Sequence, residues 1–289
     1  MTTFEIAPVL LAIEEYYPGP VTLKMGGVPN LYDETSGSGE PGHADAATNA
    51  ETQLLRISTR HPDVRAIMTI SEGLYRIVAR RSAGIESVAD LRGKRIATIA
   101  QTSSGYFLHR MLEEEGLSFD DITAVPLVPL SRMAEALENR EVDAVVIWEP
   151  HSEHAARVLG DDIIEFEGTG VYRELFNFNT TQANLDDPAM RARIVRMTRA
   201  IIDAAREVRG NPERAQELLR QTSGHSSTDI DDAWEHHAFP ASIPDDFLDV
   251  LVAEEQWLAQ QEDREPRSRQ DLSVLLDRSV YEEALALEP

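Results

Sequence analysis

The stretch from residue 95 to residue 117, RIATIAQTSSGYFLHRMLEEEGL, decides the fold of this chain. Its apolar run at 96–100 predicts a β-strand, and the next apolar residues recur at helical spacing, which predicts a helix over 104–115 that stops at Gly116. Gln-Thr-Ser-Ser-Gly stands where the strand passes into the helix. These hydroxyls have two interpretations: one serine caps the helix, or the hydroxyls and the free backbone N–H groups bind the oxygens of a ligand.

The same alternation continues on both sides of this stretch. Downstream, 121–129 reads as a strand, 131–141 as a helix and 142–150 as a buried strand, so that residues 95–148 form a β-α-β-α-β series. Such a series predicts a parallel, doubly wound sheet of the α/β class. Upstream, a short strand ends at Asn49 and β-rich runs follow. From Asp187 onward the pattern is helical, with predicted helices over 187–209, 212–221, 226–237, 244–262 and 270–286.

Composition excludes several classes of function. The formal net charge is −24, whereas a nucleic-acid-binding protein needs a basic surface, so we expect no nucleic-acid partner and no docking on anionic membranes. No apolar run approaches the roughly 18 residues of a membrane span, and the absence of cysteine removes thiolate catalysis and disulfides. Only two of the 27 basic residues, Lys24 and Lys94, are lysine. This acidic, lysine-poor composition resembles that of haloarchaeal proteins, although a high-GC actinobacterial genome would also favour arginine.

Several segments together resemble a known family. GHADAATNAETQLL, DLRGKRIATIAQTSSGYFLHRMLEEEGL and MAEALENREVDAVVIWEP are similar to the nitrate, sulfonate and taurine type of periplasmic binding proteins, a group that also includes proteins of thiamine-precursor binding and synthesis. The resemblance implies a type II periplasmic-binding-protein fold with two doubly wound α/β lobes and a ligand cleft between them. It places lobe 1 at 1–73 and 178–289, and lobe 2 at 74–177.

The resemblance also indicates which residues would touch a ligand. They stand at strand–helix junctions or near the two hinge crossings, and each also has a purely structural interpretation, such as a helix cap or a core side chain. The predicted ligand-binding residues are Thr3, Phe4, Glu5, Asn49, Ala50, Glu51, Ser71, Glu72, Thr102, Ser103, Ser104, Tyr106, Trp148 and Glu149.

The acidic residues in this set leave the ligand class open. If glutamates line the cleft, the ligand should carry N–H donors, as a thiamine-precursor pyrimidine does, and this is the interpretation we favour slightly. If they face away, the TSSG hydroxyls and helix N-termini would hold a small anion such as a sulfonate. His151 and His154 lie three residues apart, as metal ligands on a helix can, but a solvated helix start explains them better, and we expect no metal site.

The favoured function is therefore a solute-binding protein of ABC-transporter type, without a cofactor, that passes its small-molecule cargo to an ABC permease if it is exported. The alternative is a cytoplasmic enzyme on the same fold, with lyase, decarboxylase or thiamine-pyrimidine-synthesis chemistry. Relatives with such chemistry use a cysteine, or a lysine-bound pyridoxal phosphate, and the residues here give no support for either. The first residues, MTTFEIAPVLL, do not read as a signal peptide, so the chain as written is expected to be cytoplasmic. It would be periplasmic or extracellular if an N-terminal segment has been removed.

Overall fold

The computed structural model describes residues 3–35 and 39–287. Contacts between Cα atoms divide the chain into two units. Unit 1 comprises Met1–Glu72, Leu175–Gly224 and Phe239–Pro289, and unit 2 comprises Gly73–Glu174 and His225–Ala238. The predicted lobe bounds stay a prediction, and the units differ from them chiefly in His225–Ala238, which the sequence analysis assigned to lobe 1.

The first two thirds of the chain contain short strands and helices, and the last third is mainly helical. The strands are β1 (Ala47–Ala50), β2 (Val64–Gly73), β3 (Arg76–Arg80), β4 (Arg95–Ala97), β5 (Thr123–Val125), β6 (Ala144–Val146), β7 (Ile163–Glu167), β8 (Glu174–Thr181) and β9 (His237–Ala238). The helices are α1 (Ala7–Leu11), α2 (Glu51–Ser58), α3 (Ser103–Glu114), α4 (Arg132–Glu138), α5 (His151–Leu159), α6 (Gln182–Asp186), α7 (Pro188–Gly210), α8 (Glu213–Ser223), α9 (Ser227–Ala233), α10 (Phe247–Gln261), α11 (Arg269–Ser273) and α12 (Arg278–Ala286). In the described part of the chain no helix is long and apolar enough to cross a bilayer.

Unit 2 is built on the sheet that the opening stretch predicted. Its strand order is β5-β4-β6-β3-β7. β4 pairs in parallel with both β5 and β6, whereas β3 pairs antiparallel with β6 and β7. The β-α-β-α-β prediction for residues 95–148 is thus confirmed. An apolar core of α4, α5 and sheet side chains, centred on Val78, Met133 and Val145, fixes α4 and α5 on one face of the sheet.

Unit 1 has a smaller sheet, in which β8 lies between β1 and β2 and pairs antiparallel with β1. Most of its mass is helical, as predicted from Asp187 onward, but the helix predicted over 226–237 lies in unit 2 and is shorter, because α9 ends at Ala233 and β9 begins at His237. The helix predicted over 270–286 is wrong as one element, because the chain stops being helical after α11. There the Ala66 N–H donates to the Leu275 carbonyl and the Asp277 N–H to the Ala66 carbonyl, at 2.7 and 2.9 Å, before the Asp277 side chain caps α12.

Candidate functional site

The loops after β4 and β6 meet at a topological switch point within unit 2. From β4 the chain runs through α3 to β5 on one side, and from β6 it runs through α5 to β7, two strands away in the opposite direction. Because β4 and β6 are parallel neighbours, their carboxyl ends lie at the same edge, where the two connections diverge. Open α/β sheets bind ligands at this position. The loop at 98–102 and the loop at 147–150 are therefore the candidate ligand loops of unit 2.

Helix α3 begins at this edge without a side-chain cap. Thr102 occupies the capping position with extended backbone, φ −128° and ψ −177°, but its side chain makes no capping bond. Its hydroxyl instead donates to the Ile99 carbonyl at 2.8 Å. The N–H groups of the first helical turn have no acceptor within the helix, so they point out of its N-terminus. A Cβ on Gly105 would lie 2.1 Å from the Ala100 carbonyl oxygen, so only glycine allows the helix to start this close to the strand end.

The hydroxyls of Thr102, Ser103 and Ser104 fall into two separate groups of contacts. Ser104 Oγ lies 2.9 Å from Thr102 Oγ1 and 3.3 Å from Thr98 Oγ1. Ser103 Oγ lies 2.8 Å from the Tyr75 hydroxyl, which donates to Glu174 at 3.3 Å. The predicted residues Thr102, Ser103 and Ser104 are thus brought together, and Ser103 is joined to two side chains that the prediction did not contain.

An aromatic cluster backs the hydroxyls. The Tyr106 ring meets the Tyr172 ring edge to face, with centroids 5.4 Å apart, and Tyr75 contacts Tyr172 and Phe107 at 5.7 and 5.6 Å. All four rings are buried. Buried aromatic pairs fix each other's orientation, so the Tyr75 hydroxyl is held at a defined position beside Ser103.

The loop after β6 carries Trp148, Glu149 and the residue that leads into α5. Trp148 is half-buried and packs against the apolar core of α4 and α5. Glu149 is buried, accepts the Glu153 N–H at 2.9 Å and lies 3.0 Å from an Arg76 nitrogen. Burial raises the pKa of Glu149 to about 7, and the Arg76 guanidinium offsets part of that rise.

Arg76 is shared among three carboxylates of unit 2. Besides Glu149, it lies 2.7 Å from Glu153 and 3.3 Å from Glu165. The residue is 7% exposed, so these contacts are made in a poorly solvated environment. Arg157 lies 3.4 Å from Glu153 as well, so two guanidinium groups face three carboxylates, which is consistent with the difficulty of ionising Glu149.

Three predicted residues of unit 1 use their side chains in hydrogen bonds to backbone groups of the same unit. Asn49 Oδ1 accepts the Val28 N–H at 2.9 Å, and buried Glu51 accepts the Leu175 N–H at 2.7 Å. The Ser71 hydroxyl donates to the Glu5 carbonyl. The other predicted residues here are Thr3 and Glu72, both half-buried, and Phe4 and Ala50, both buried. The ligand role of this group stays a prediction.

The sequence analysis missed Tyr75, Tyr172 and Glu174. A signal existed, because Tyr-Arg occurs at 75–76 and again at 172–173, each close to a point where the chain passes from one unit to the other. It also favoured a solvated helix start for His151 and His154 over metal ligation, and this was wrong for His151, which is buried. His154 Nε2 lies 2.9 Å from Asp229 Oδ1, and among the described residues no three His, Asp or Glu side chains are arranged to hold a metal ion.

A protein-family model and several curated proteins match this chain. The model of the NMT1/THI5-like family matches residues 32–215. An aliphatic sulfonates-binding protein of Escherichia coli (strain K12) is 30% identical over 152 residues, which are 51% of this chain and 44% of that protein. The chain spans less than half the length of the curated relatives it matches most clearly.

Solved structures agree in fold. The alkanesulfonate-binding protein SsuA of Xanthomonas axonopodis pv. citri, bound to MOPS, has a TM-score of 0.63 at 20% identity, covering 81% of each chain. The periplasmic aliphatic sulphonate-binding protein SsuA of Escherichia coli has a TM-score of 0.64 at 18% identity, covering 78% of this chain and 74% of that one. The desulfurization enzyme DszB, as a cysteine-to-serine mutant in complex with biphenyl-2-sulfinic acid, has a TM-score of 0.66 at 16% identity over 96% of this chain and 95% of that one. These similarities confirm the α/β fold of periplasmic-binding-protein type.

Proposed function

Since the chain belongs to the NMT1/THI5-like family, we propose that it is a solute-binding protein for a small organic oxyanion of the sulfonate type. The observation that carries this proposal is the uncapped start of α3, with the Ser103 and Tyr75 hydroxyls beside it. Helix N–H groups are uncharged donors, and the Ser103 hydroxyl becomes one when it turns from the Tyr75 oxygen to the ligand. Together with the helix dipole they can hold an anion without a basic side chain.

The engagement of the acidic residues supports an anion rather than an amine. Glu51 uses a carboxylate oxygen on the Leu175 N–H, and Glu149 is paired with Arg76. Both were candidates to bind the N–H groups of an aminopyrimidine, and both have partners within their own unit. These two glutamates therefore no longer argue for an aminopyrimidine ligand, and we now favour a sulfonate over the pyrimidine.

Relatives of this fold include an enzyme, yet the residues here favour binding. The DszB protein solved with biphenyl-2-sulfinic acid carries a serine in place of a cysteine, and the present sequence contains no cysteine at all. A thiolate nucleophile is therefore excluded for this chain. No arrangement among the described residues gives a specific reason to prefer the lyase or decarboxylase alternative.

The proposal includes a partner and a location. The Escherichia coli structure is described as periplasmic, and binding proteins of this type deliver cargo to a permease. We place the mature protein outside the cytoplasmic membrane, with an ABC permease as its partner. Co-purification of the protein with its permease from membranes tests the partner, and cell fractionation tests the location.

Isothermal titration calorimetry with MOPS, ethanesulfonate and 4-amino-5-hydroxymethyl-2-methylpyrimidine tests the ligand class. We expect binding of a sulfonate and none of the pyrimidine. Ser103→Ala should weaken sulfonate binding about tenfold, because one hydrogen bond to a charged group is lost. Ser118→Ala is the matched control, since this exposed serine also stands at a helical turn of unit 2 but lies outside the ligand loops. Binding of the pyrimidine alone would refute the oxyanion proposal.

A further inference from the structure

His151 is a buried imidazole that the fold does not use. Its side chain is at the first position of α5, directly after the loop that follows β6, and the residue is 4% exposed. Within the described part of the chain neither ring nitrogen, Nδ1 nor Nε2, has a hydrogen-bond partner. Its ring contacts the His154 ring edge to face, with centroids 6.0 Å apart, but this contact satisfies no donor or acceptor.

Such an arrangement is costly without a ligand. A buried polar group that lacks a partner loses its hydrogen bonds to water and gains none in return, and native structures contain few such groups. The neighbouring polar side chains have hydrogen-bond partners. The Ser152 hydroxyl donates to the Ile147 carbonyl, and His154 pairs with Asp229. On this turn of α5 the unmet hydrogen-bonding capacity is therefore confined to His151, at the topological switch point of unit 2.

The charge state of His151 restricts what it could bind. Burial lowers the pKa of His151 to about 4, with smaller contributions from the imidazoles of His154 and His225. Near neutral pH the ring is uncharged and offers one N–H donor and one nitrogen acceptor. Its N–H can donate to an anion, but the acceptor nitrogen of the neutral ring finds no partner on an anion. The ring complements a group that both donates and accepts, such as a hydroxyl.

We propose that His151 contacts the ligand and selects sulfonates that carry an uncharged hydrogen-bonding group, such as a hydroxyl, next to the oxyanion. This proposal rests on the proposed function, because the oxyanion is assigned to the start of α3 and the second group to His151. The ligand class is thus a hydroxyalkyl sulfonate or an analogue of similar polarity, rather than a simple alkyl sulfonate.

The test compares 2-hydroxyethanesulfonate with ethanesulfonate by calorimetry, since the two differ only in the hydroxyl. The wild-type protein should bind the hydroxylated compound about tenfold more tightly. His151→Leu should abolish this preference, and His151→Gln, which keeps a donor and an acceptor, should retain part of it. Val158→Ala is the control on the same helix, because Val158 is exposed, and it should leave the preference unchanged.

A second measurement, the melting temperature without ligand, separates a ligand contact from a structural role. His151→Leu should raise it by about 2 to 4 °C, because an unsatisfied buried group is removed. A lower melting temperature would mean that the imidazole has a partner in the protein, and would overturn the inference. Equal wild-type affinity for the two sulfonates, or an unchanged preference in His151→Leu, would overturn it while the proposed function stands. If neither compound binds while MOPS does, the inference alone is overturned; failure to bind all three sulfonates would overturn both.

Discussion

Replacement of Glu149 by glutamine should stabilise the protein at alkaline pH. Burial raises the pKa of this carboxyl to about 7, against 4.5 for an exposed glutamate, so the folded protein holds its proton more tightly than the unfolded chain. Such a group favours folding below pH 4.5, and its contribution is lost as the pH rises through 7. A difference of about 2.5 pKa units corresponds to about 3 kcal/mol. Glu149→Gln should therefore gain up to about 3 kcal/mol at pH 8 and nothing at pH 4.5.

Urea titrations of both proteins at half-unit steps from pH 4.5 to pH 8 measure this difference. Subtracting the wild-type free energy of unfolding from that of the variant cancels the contribution of groups that titrate equally in both proteins. Glu141→Gln is the control, because Glu141 is exposed and its replacement should change the free energy of unfolding by less than about 0.5 kcal/mol at every pH. If Glu149→Gln is instead less stable than the wild type at pH 8, attraction to Arg76 outweighs burial and the reasoning is refuted.

Two further substitutions test other parts of the structure. Glu255 should behave oppositely to Glu149, because hydrogen bonds from Arg267 and Arg264 outweigh burial and lower its pKa to about 2. Its stabilising contribution is present above pH 4.5 and is lost as the pH falls towards 2. In a urea titration, Glu255→Gln should therefore lower the free energy of unfolding by about 3 kcal/mol at pH 7 and by clearly less at pH 3. An equal loss at both pH values would contradict this. Gly105→Ala should cost about 2 to 4 kcal/mol, because the new Cβ would meet the Ala100 carbonyl oxygen. Its matched control is Gly84→Ala, where the left-handed backbone is strained but nothing lies within 4 Å of the new Cβ, and an equal loss in both variants would argue against the clash.

The sequence predicted most of what depends on neighbouring residues. The apolar runs and hydroxyls of residues 95–148 correctly indicated β4, α3, β5, α4 and β6, because hydrophobic periodicity and glycine placement act locally. The prediction of one helix over 270–286 was wrong, because the break before Asp277 comes from pairing with Ala66, a residue far away in the sequence. The sequence pattern around Asp277 does not indicate that contact.

The candidate site shows the same division. Thr102 and Ser103 were predicted because they follow a strand and precede a helix, and their ligand role stays a prediction. Tyr75 and Glu174 were not, since only the folded sheet brings them to Ser103. His151 was noticed for its spacing from His154, whereas its distinguishing property, burial without a hydrogen-bond partner among the described residues, exists only in three dimensions.

The division of the chain into units has a consequence for synthesis on the ribosome. Gly73–Glu174, the larger part of unit 2, is one continuous segment, whereas unit 1 is complete only when the last helices have emerged. The sheet of β3 to β7 can therefore form while the nascent chain is still growing. Helix α5 gains the contacts of its His154 and Arg157 with Asp229 only when residues 225–238 have been synthesised. Until that segment has been synthesised, unit 2 exposes the surface of α5 that α9 covers in the complete protein.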